Sequence, residues 1–127
     1  QNIPVTKRGS AESFWVITGT TKEHKLSKDI ALAAKSNATV VVLMGMGKLA
    51  EIIKLFQQEN KNELPVAIIQ NGTRVNEKVG IGTVDTILQV VAEQQLSNPA
   101  IIVLGEVVKH REVLASIQQA HVKELIA

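Results

Sequence analysis

The sequence predicts an α/β fold, an αβα sandwich on a mostly parallel or mixed five-stranded sheet. Three observations carry this. Segments of strand length, rich in apolar and β-branched residues, recur at residues 13–18, 39–44, 66–69, 78–83 and 100–104. Between them, apolar residues fall at helical spacing. Strands alternating with helices in this way form a sheet whose two faces both need cover.

Each element has a local reason. Residues 1–12 mix proline, glycine, serine and charges without an apolar period, so they read as an entry segment or interdomain linker ahead of an α/β domain over 13–127. Residues 13–18 (Ser-Phe-Trp-Val-Ile-Thr) are apolar on both faces, which suits a strand buried on both sides. From Ser27 a short helix is expected: Ser27 can cap it, Asp29 sits in its first turn, and Ile30, Ala33 and Ala34 share a face. Residues 39–44 are a continuous apolar run ending at Gly45, after which Leu49, Ile52, Ile53 and Phe56 repeat at helical spacing. With the strand at 66–69, bounded by Pro65 and Asn71-Gly72, this makes a βαβ-sized unit for which parallel pairing is expected. Residues 78–83 add a strand, and Thr83 can cap a helix with Asp85 in its first turn and Val84, Ile87, Leu88 and Val91 along its face. After Pro99 comes a buried strand at 100–104, then Gly105 and a helical tail in which Leu114, Ile117, His121 and Leu125 align.

Composition narrows the function classes. A chain of 127 residues, 45% apolar and 20% charged, suits one globular domain. Cysteine is absent, which excludes disulfides and thiolate chemistry and fits a cytoplasmic protein. No apolar run approaches the roughly 20 residues of a membrane helix. A formal charge of +2 with dispersed lysines and few aromatics argues against nucleic acid as a partner.

In an α/β sheet, ligands bind beyond the carboxyl ends of strands. That directs attention to Thr18-Gly19, Met44-Gly45, Asn71-Gly72 and Leu104-Gly105, where glycine lets a ligand approach the backbone. Gly45-Met46-Gly47-Lys48-Leu49-Ala50 fits the G-x-G-x-x-A dinucleotide pattern, but the acidic residue that should hold a ribose some 20 positions on is replaced by Gln70. A tight strand-to-helix turn explains the same glycines without a ligand. Met44 by periodicity alone suits a core position, and Asn71-Gly72-Thr73 a plain β-turn. Thr6-Lys7-Arg8-Gly9 reads as a solvated linker or as a pair of cations for an acidic substrate. His24, His110 and His121 are scattered and form neither a metal motif nor a nucleophile triad, so no metal site is expected. Glu106 and Glu112 are isolated carboxylates of the kind usually found at the surface.

Taken together, Ile3-Pro4-Val5-Thr6-Lys7-Arg8-Gly9, Val42-Leu43-Met44-Gly45-Met46, residues 65–73 (Pro-Val-Ala-Ile-Ile-Gln-Asn-Gly-Thr), Gly82-Thr83-Val84 and residues 99–108 resemble, in order and spacing, the second half of the uroporphyrinogen-III C-methyltransferases. The resemblance implies the tetrapyrrole methylase fold, with two α/β domains per subunit, a homodimer, and S-adenosyl-L-methionine held between the domains and released as S-adenosyl-L-homocysteine. It implies cofactor contacts at Met44 and Gly72, with Thr73 and the segment around Ala100 lining the same pocket, and moves Met44 from core to site. It gives Lys7 and Arg8 a purpose, as contacts for a tetrapyrrole rich in carboxylates. Position 7 is commonly histidine in the family, so Lys7 makes a proton-transfer role there doubtful.

The family's glycine-rich cofactor loop and catalytic aspartate belong to an N-terminal domain, and no G-x-G-x-G-D occurs in this sequence. With Gln1 rather than Met at the start, the resemblance therefore predicts a missing N-terminal domain of the same chain, no catalytic residue in this half, and an inactive half. Methylation of a later precorrin, or a non-catalytic interaction domain of the same fold, are the alternatives. A nicotinamide-binding domain comes behind them, weakened by Gln70.

Overall fold

In the computed structural model, residues 1–111 together with Leu114, Ile117 and Ala120 are described. The order of elements is β1 (Phe14–Thr18), α1 (Asp29–Lys35), β2 (Thr39–Leu43), a 3-10 turn (Met46–Lys48), α2 (Leu49–Gln58), β3 (Pro65–Gln70), β4 (Lys78–Thr83), α3 (Ile87–Gln94), β5 (Ala100–Leu104) and a second 3-10 turn (Glu106–Lys109). One five-stranded sheet has the order β1-β2-β5-β3-β4. It is mixed, and not mostly parallel: β1 pairs with β2 in parallel, while β2 with β5, β5 with β3 and β3 with β4 are antiparallel. The expected direct pairing of β2 with β3 is replaced by insertion of β5 between them. The two strands run in the same direction but are not paired with each other.

That insertion sets which strand ends lie together. The carboxyl ends of β1, β2 and β3 share one edge with the amino end of β5, because Leu43 pairs with Ile101 and Gln70 with Ala100. Leu104-Gly105, expected beside the other strand ends, is therefore at the opposite edge, where Leu104 pairs with Val40 and Val66.

The main core lies on one face of the sheet. Ile30, Ala33 and Ala34 of α1, Leu49, Ile52, Ile53 and Phe56 of α2, and Ile87 of α3 pack onto Val40, Val42, Val66, Ile68, Ile102 and Leu104. On the other face, Ala67, Ile69, Val103 and Val108 form a smaller cluster, flanked by Ile3 and Val41. The second 3-10 turn and the entry segment pack against this face, through Val108 and Ile3. The entry segment is thus partly docked, and a Lys7–Ala11 bridge folds its second half into a turn with Ala11 buried.

Two local expectations are corrected by tertiary contacts. Residues 13–18 do form a strand, but at the edge of the sheet, so Ile17 is its only buried residue. The helix expected from Thr83 starts at Ile87 instead, and Leu88 is exposed. Val84 N–H donates to the Leu64 carbonyl, and the Asp85 carboxylate accepts from the Gln57 and Asn62 side chains at 2.9 and 3.0 Å, which ties this segment to α2 and the following loop. In the tail, Leu114 and Ile117 are helical, as expected, and both are exposed. His121 and Leu125, like Glu112, lie outside the described residues. The short helix after Ser27 forms with Ile30, Ala33 and Ala34 buried as expected, but its N-cap position is Lys28, which makes no side-chain cap bond, and Ser27 Oγ accepts from Asp29 N–H at 3.3 Å from one residue earlier.

Candidate functional site

The site is built where β2 ends. Val40 and Val42 face the helices and are fully buried, so the strand stays extended until its apolar pattern stops. Met44 then turns left-handed, with φ 53°, a conformation that a residue with a Cβ adopts only at a cost in free energy. Its side chain leaves the core and is 64% exposed. The core assignment that periodicity suggests for Met44 is therefore not what the fold adopts.

Gly45 follows, packed so closely that a Cβ there would lie 2.6 Å from Val42 Cγ1 and 3.1 Å from Ile102 Cδ1. Gly47 has open space around it. The first glycine of the G-x-G-x-x-A pattern is thus a packing requirement of the turn. Gln70, at the position where a dinucleotide fold needs an acid, is buried, and its side-chain oxygen accepts Ser97 N–H at 2.7 Å. It anchors the approach to β5.

A cavity of about 410 Å³ opens at this edge, lined by Thr20, Met44, Met46, Gly47, Asn98, Pro99 and Ala100. That size lies within the range of small-molecule pockets, roughly 300–1,000 Å³. Its walls are mainly apolar side chains, with a threonine hydroxyl and an asparagine amide among them, the composition that holds a ligand by burial and orients it by a few polar contacts. Met44 and Ala100, more than fifty positions apart in sequence, meet here because β5 lies beside β2.

Gly72 and Thr73 are on the neighbouring loop between β3 and β4 and are not among the lining residues. Asn71 N–H donates to the Pro99 carbonyl at 3.0 Å and ties that loop to the cavity rim. Thr73 is left-handed, φ 66°, unusual for a β-branched residue. Its hydroxyl donates to the Gly72 carbonyl at 2.6 Å, and its N–H donates to the Glu77 carboxylate at 3.1 Å. Both groups are thereby used within the loop.

Lys7 and Arg8 are exposed and lie elsewhere. Lys7 Nζ is 3.5 Å from Nδ1 of His110, which follows the 3-10 turn beyond the carboxyl end of β5. The adjoining Gly9 and Ser10 line a second cavity of about 540 Å³ with Ala38 and Gly105, at the far ends of β2 and β5. The segment carrying the cations and Met44 thus adjoin different cavities, at opposite ends of β2 and β5. Among the described residues no group of acidic and histidine side chains is arranged to hold a metal ion.

One residue that sequence reasoning passed over is Thr20. It stands just after Gly19, the glycine already singled out at the end of β1, but a lone hydroxyl in a polar loop carries no periodic signal.

Comparison with known proteins fits this geometry. The family model described as Tetrapyrrole (Corrin/Porphyrin) Methylases matches residues 1–88. The chain is 41% identical over 108 residues to the uroporphyrinogen-III C-methyltransferase of Methanocaldococcus jannaschii, covering 84% of this chain and 45% of that protein. It is 38% identical over 114 residues to the siroheme synthase of Nitrosomonas eutropha, covering 89% of this chain and 24% of that one. Among solved structures, uroporphyrin-III C-methyl transferase from Thermus thermophilus complexed with S-adenyl homocysteine matches with a TM-score of 0.70 and 27% identity, over 84% of this chain and 48% of that chain. The chain spans under half the length of the methyltransferase relative and about a quarter of the siroheme synthase. A match over residues 1–88 takes in the entry segment, four of the five strands and the β2 strand end at Met44, and on that ground the chain belongs to the tetrapyrrole (corrin/porphyrin) methylases.

Proposed function

We propose that this chain is the C-terminal half of an S-adenosyl-L-methionine-dependent uroporphyrinogen-III C-methyltransferase, the enzyme that converts uroporphyrinogen III to precorrin-2. The observation that carries the reading is Met44: a left-handed, outward-turned residue that shares a cavity with Ala100 at the strand-end edge. Relatives named for this activity, matched over less than half their length, support the assignment to one half of a larger enzyme.

When bound, the cofactor supplies an electrophilic methyl group on a sulfonium sulfur. This chain contributes one wall. Met44, Met46, Pro99 and Ala100 exclude water from one side of the ligand, and the loop carrying Gly72 and Thr73 closes the rim. Catalysis would rest on positioning and water exclusion. Lys7 and Arg8 are proposed contacts for tetrapyrrole carboxylates, reached from the entry segment that would follow the N-terminal half. In the same reading the parent is a cytoplasmic homodimer, its product enters siroheme or cobalamin synthesis, and this half alone is inactive.

Calorimetric titration with S-adenosylhomocysteine tests the reading. The full-length protein should bind it, and this chain alone should bind at least about 100-fold more weakly, since half a cleft leaves much of the ligand in water. Equal affinity for the half would overturn the shared cleft. No binding by the full-length protein would overturn the cofactor assignment.

A further inference from the structure

Met44 holds its conformation against a steric penalty, and such residues persist only where their surroundings over-determine them. The surroundings here are specific. Parallel pairing of β1 with β2 continues past the last strand residues, with Gly19 N–H donating to the Leu43 carbonyl at 2.7 Å. At the next residue the ladder is continued by a side chain: Thr20 Oγ1 donates to the Met44 carbonyl at 2.8 Å. Thr20 is itself held. It bridges to Leu26, Ser27 N–H donates to the Gly19 carbonyl at 3.0 Å, and Thr21 N–H donates to the Lys25 carbonyl at 2.7 Å. Residues 20–27 therefore form a closed loop that places the hydroxyl before any ligand arrives, and Thr20 also lines the cavity.

We propose that Thr20 is a positioning residue of the cofactor site: its hydroxyl fixes the Met44 carbonyl and so holds Met44 in the left-handed conformation that presents its side chain to the cavity. The inference rests on the cofactor reading given above. Without the hydroxyl, the Met44 carbonyl turns to water, and the residue can relax to extended backbone, which Met prefers. The side chain then leaves the cavity wall.

The test is a double-mutant cycle on S-adenosylhomocysteine binding by the full-length protein. Thr20→Val keeps the shape and removes the donor, and it should weaken binding roughly three- to tenfold, the range set by the usual net contribution of one hydrogen bond. Thr20→Ser keeps the donor and should stay within about twofold of the unsubstituted protein. In a Met44→Gly background, Thr20→Val should add less than about twofold, because glycine takes the left-handed conformation unaided. Should Thr20→Val fail to fold, Thr20→Ala carries the same comparison. Unchanged binding by the Val variant overturns the inference alone. So does a full Thr20→Val effect in the Met44→Gly background, which would mean that Thr20 acts on the ligand directly, or a Ser variant as weak as Val, which would assign the effect to the methyl group. No binding by the unsubstituted protein overturns the cofactor reading and this inference with it.

Discussion

Met44 and Gly45 are adjacent and depend on opposite properties of the side chain. Met44 has a Cβ where the backbone conformation disfavours one, and Gly45 lacks a Cβ where the core leaves no room for it. Met44→Gly should therefore leave the melting temperature unchanged or slightly raised, since relief of about 1–2 kcal/mol of left-handed strain offsets the extra unfolded-state freedom of glycine. Cofactor binding should fall at the same time. Gly45→Ala drives a methyl into Val42 and Ile102, both fully buried, and should destabilise by about 1–3 kcal/mol. Thermal unfolding of the two variants checks both signs; a stable Gly45→Ala protein would show that the turn can shift. Met44 stood out as a candidate only through the joined motifs around it, because an apolar residue ending an apolar run looks the same whether it faces the core or leaves it.

At the scale of elements, α1 and α2 are joined through Lys61, which follows α2. Its ammonium donates to the carbonyl of Ser36, the residue that ends α1, and lies 5.9 Å from the centre of the Phe56 ring. Burial lowers its pKa below the ordinary 10.5, partly opposed by the nearby Glu59 carboxylate. Between the lowered folded value and 10.5 the unfolded chain holds the proton more tightly, so stability rises with pH across that window. Below it the cost of burying the charge is fully present, and above it that cost is gone. The melting temperature of the protein relative to a Lys61→Met variant should accordingly climb as pH approaches 10.5. A flat difference would mean that Lys61 is solvated like any surface lysine. The helix faces on either side of this contact were legible in the sequence, since Ile30, Ala33 and Ala34, and Leu49, Ile52, Ile53 and Phe56, repeat at the helical period and all are buried. The late start of α3 was not, because it depends on Asp85 being held by Gln57 and Asn62.

At the scale of the whole molecule, the two faces of the sheet are covered differently. The helices α1, α2 and α3 cover one face, while on the other Phe14, Val16, Ile81 and Ile101 are exposed, and β1 is an edge strand. An apolar edge strand invites pairing with another chain. Sedimentation velocity on this chain should show self-association that grows with concentration, and Val16→Lys, which puts a charge in the middle of β1 at a residue 56% exposed, should suppress it. Equal association by both proteins would place the contact elsewhere.

The sequence by itself determined the kinds of element and the buried faces of α1 and α2, and its motifs joined in order singled out Met44 and Ala100 as candidates. These are properties of local period and of linear spacing. Only the tertiary structure decided that β5 enters between β2 and β3, that Ala100 therefore sits beside Met44 while Gly105 moves to the far edge, and that Thr20 reaches the Met44 carbonyl. The physical reason is that a strand buried on one or both faces has the same apolar pattern whichever neighbour it pairs with and in whichever direction it runs, so partner and direction are chosen by packing across the whole sheet.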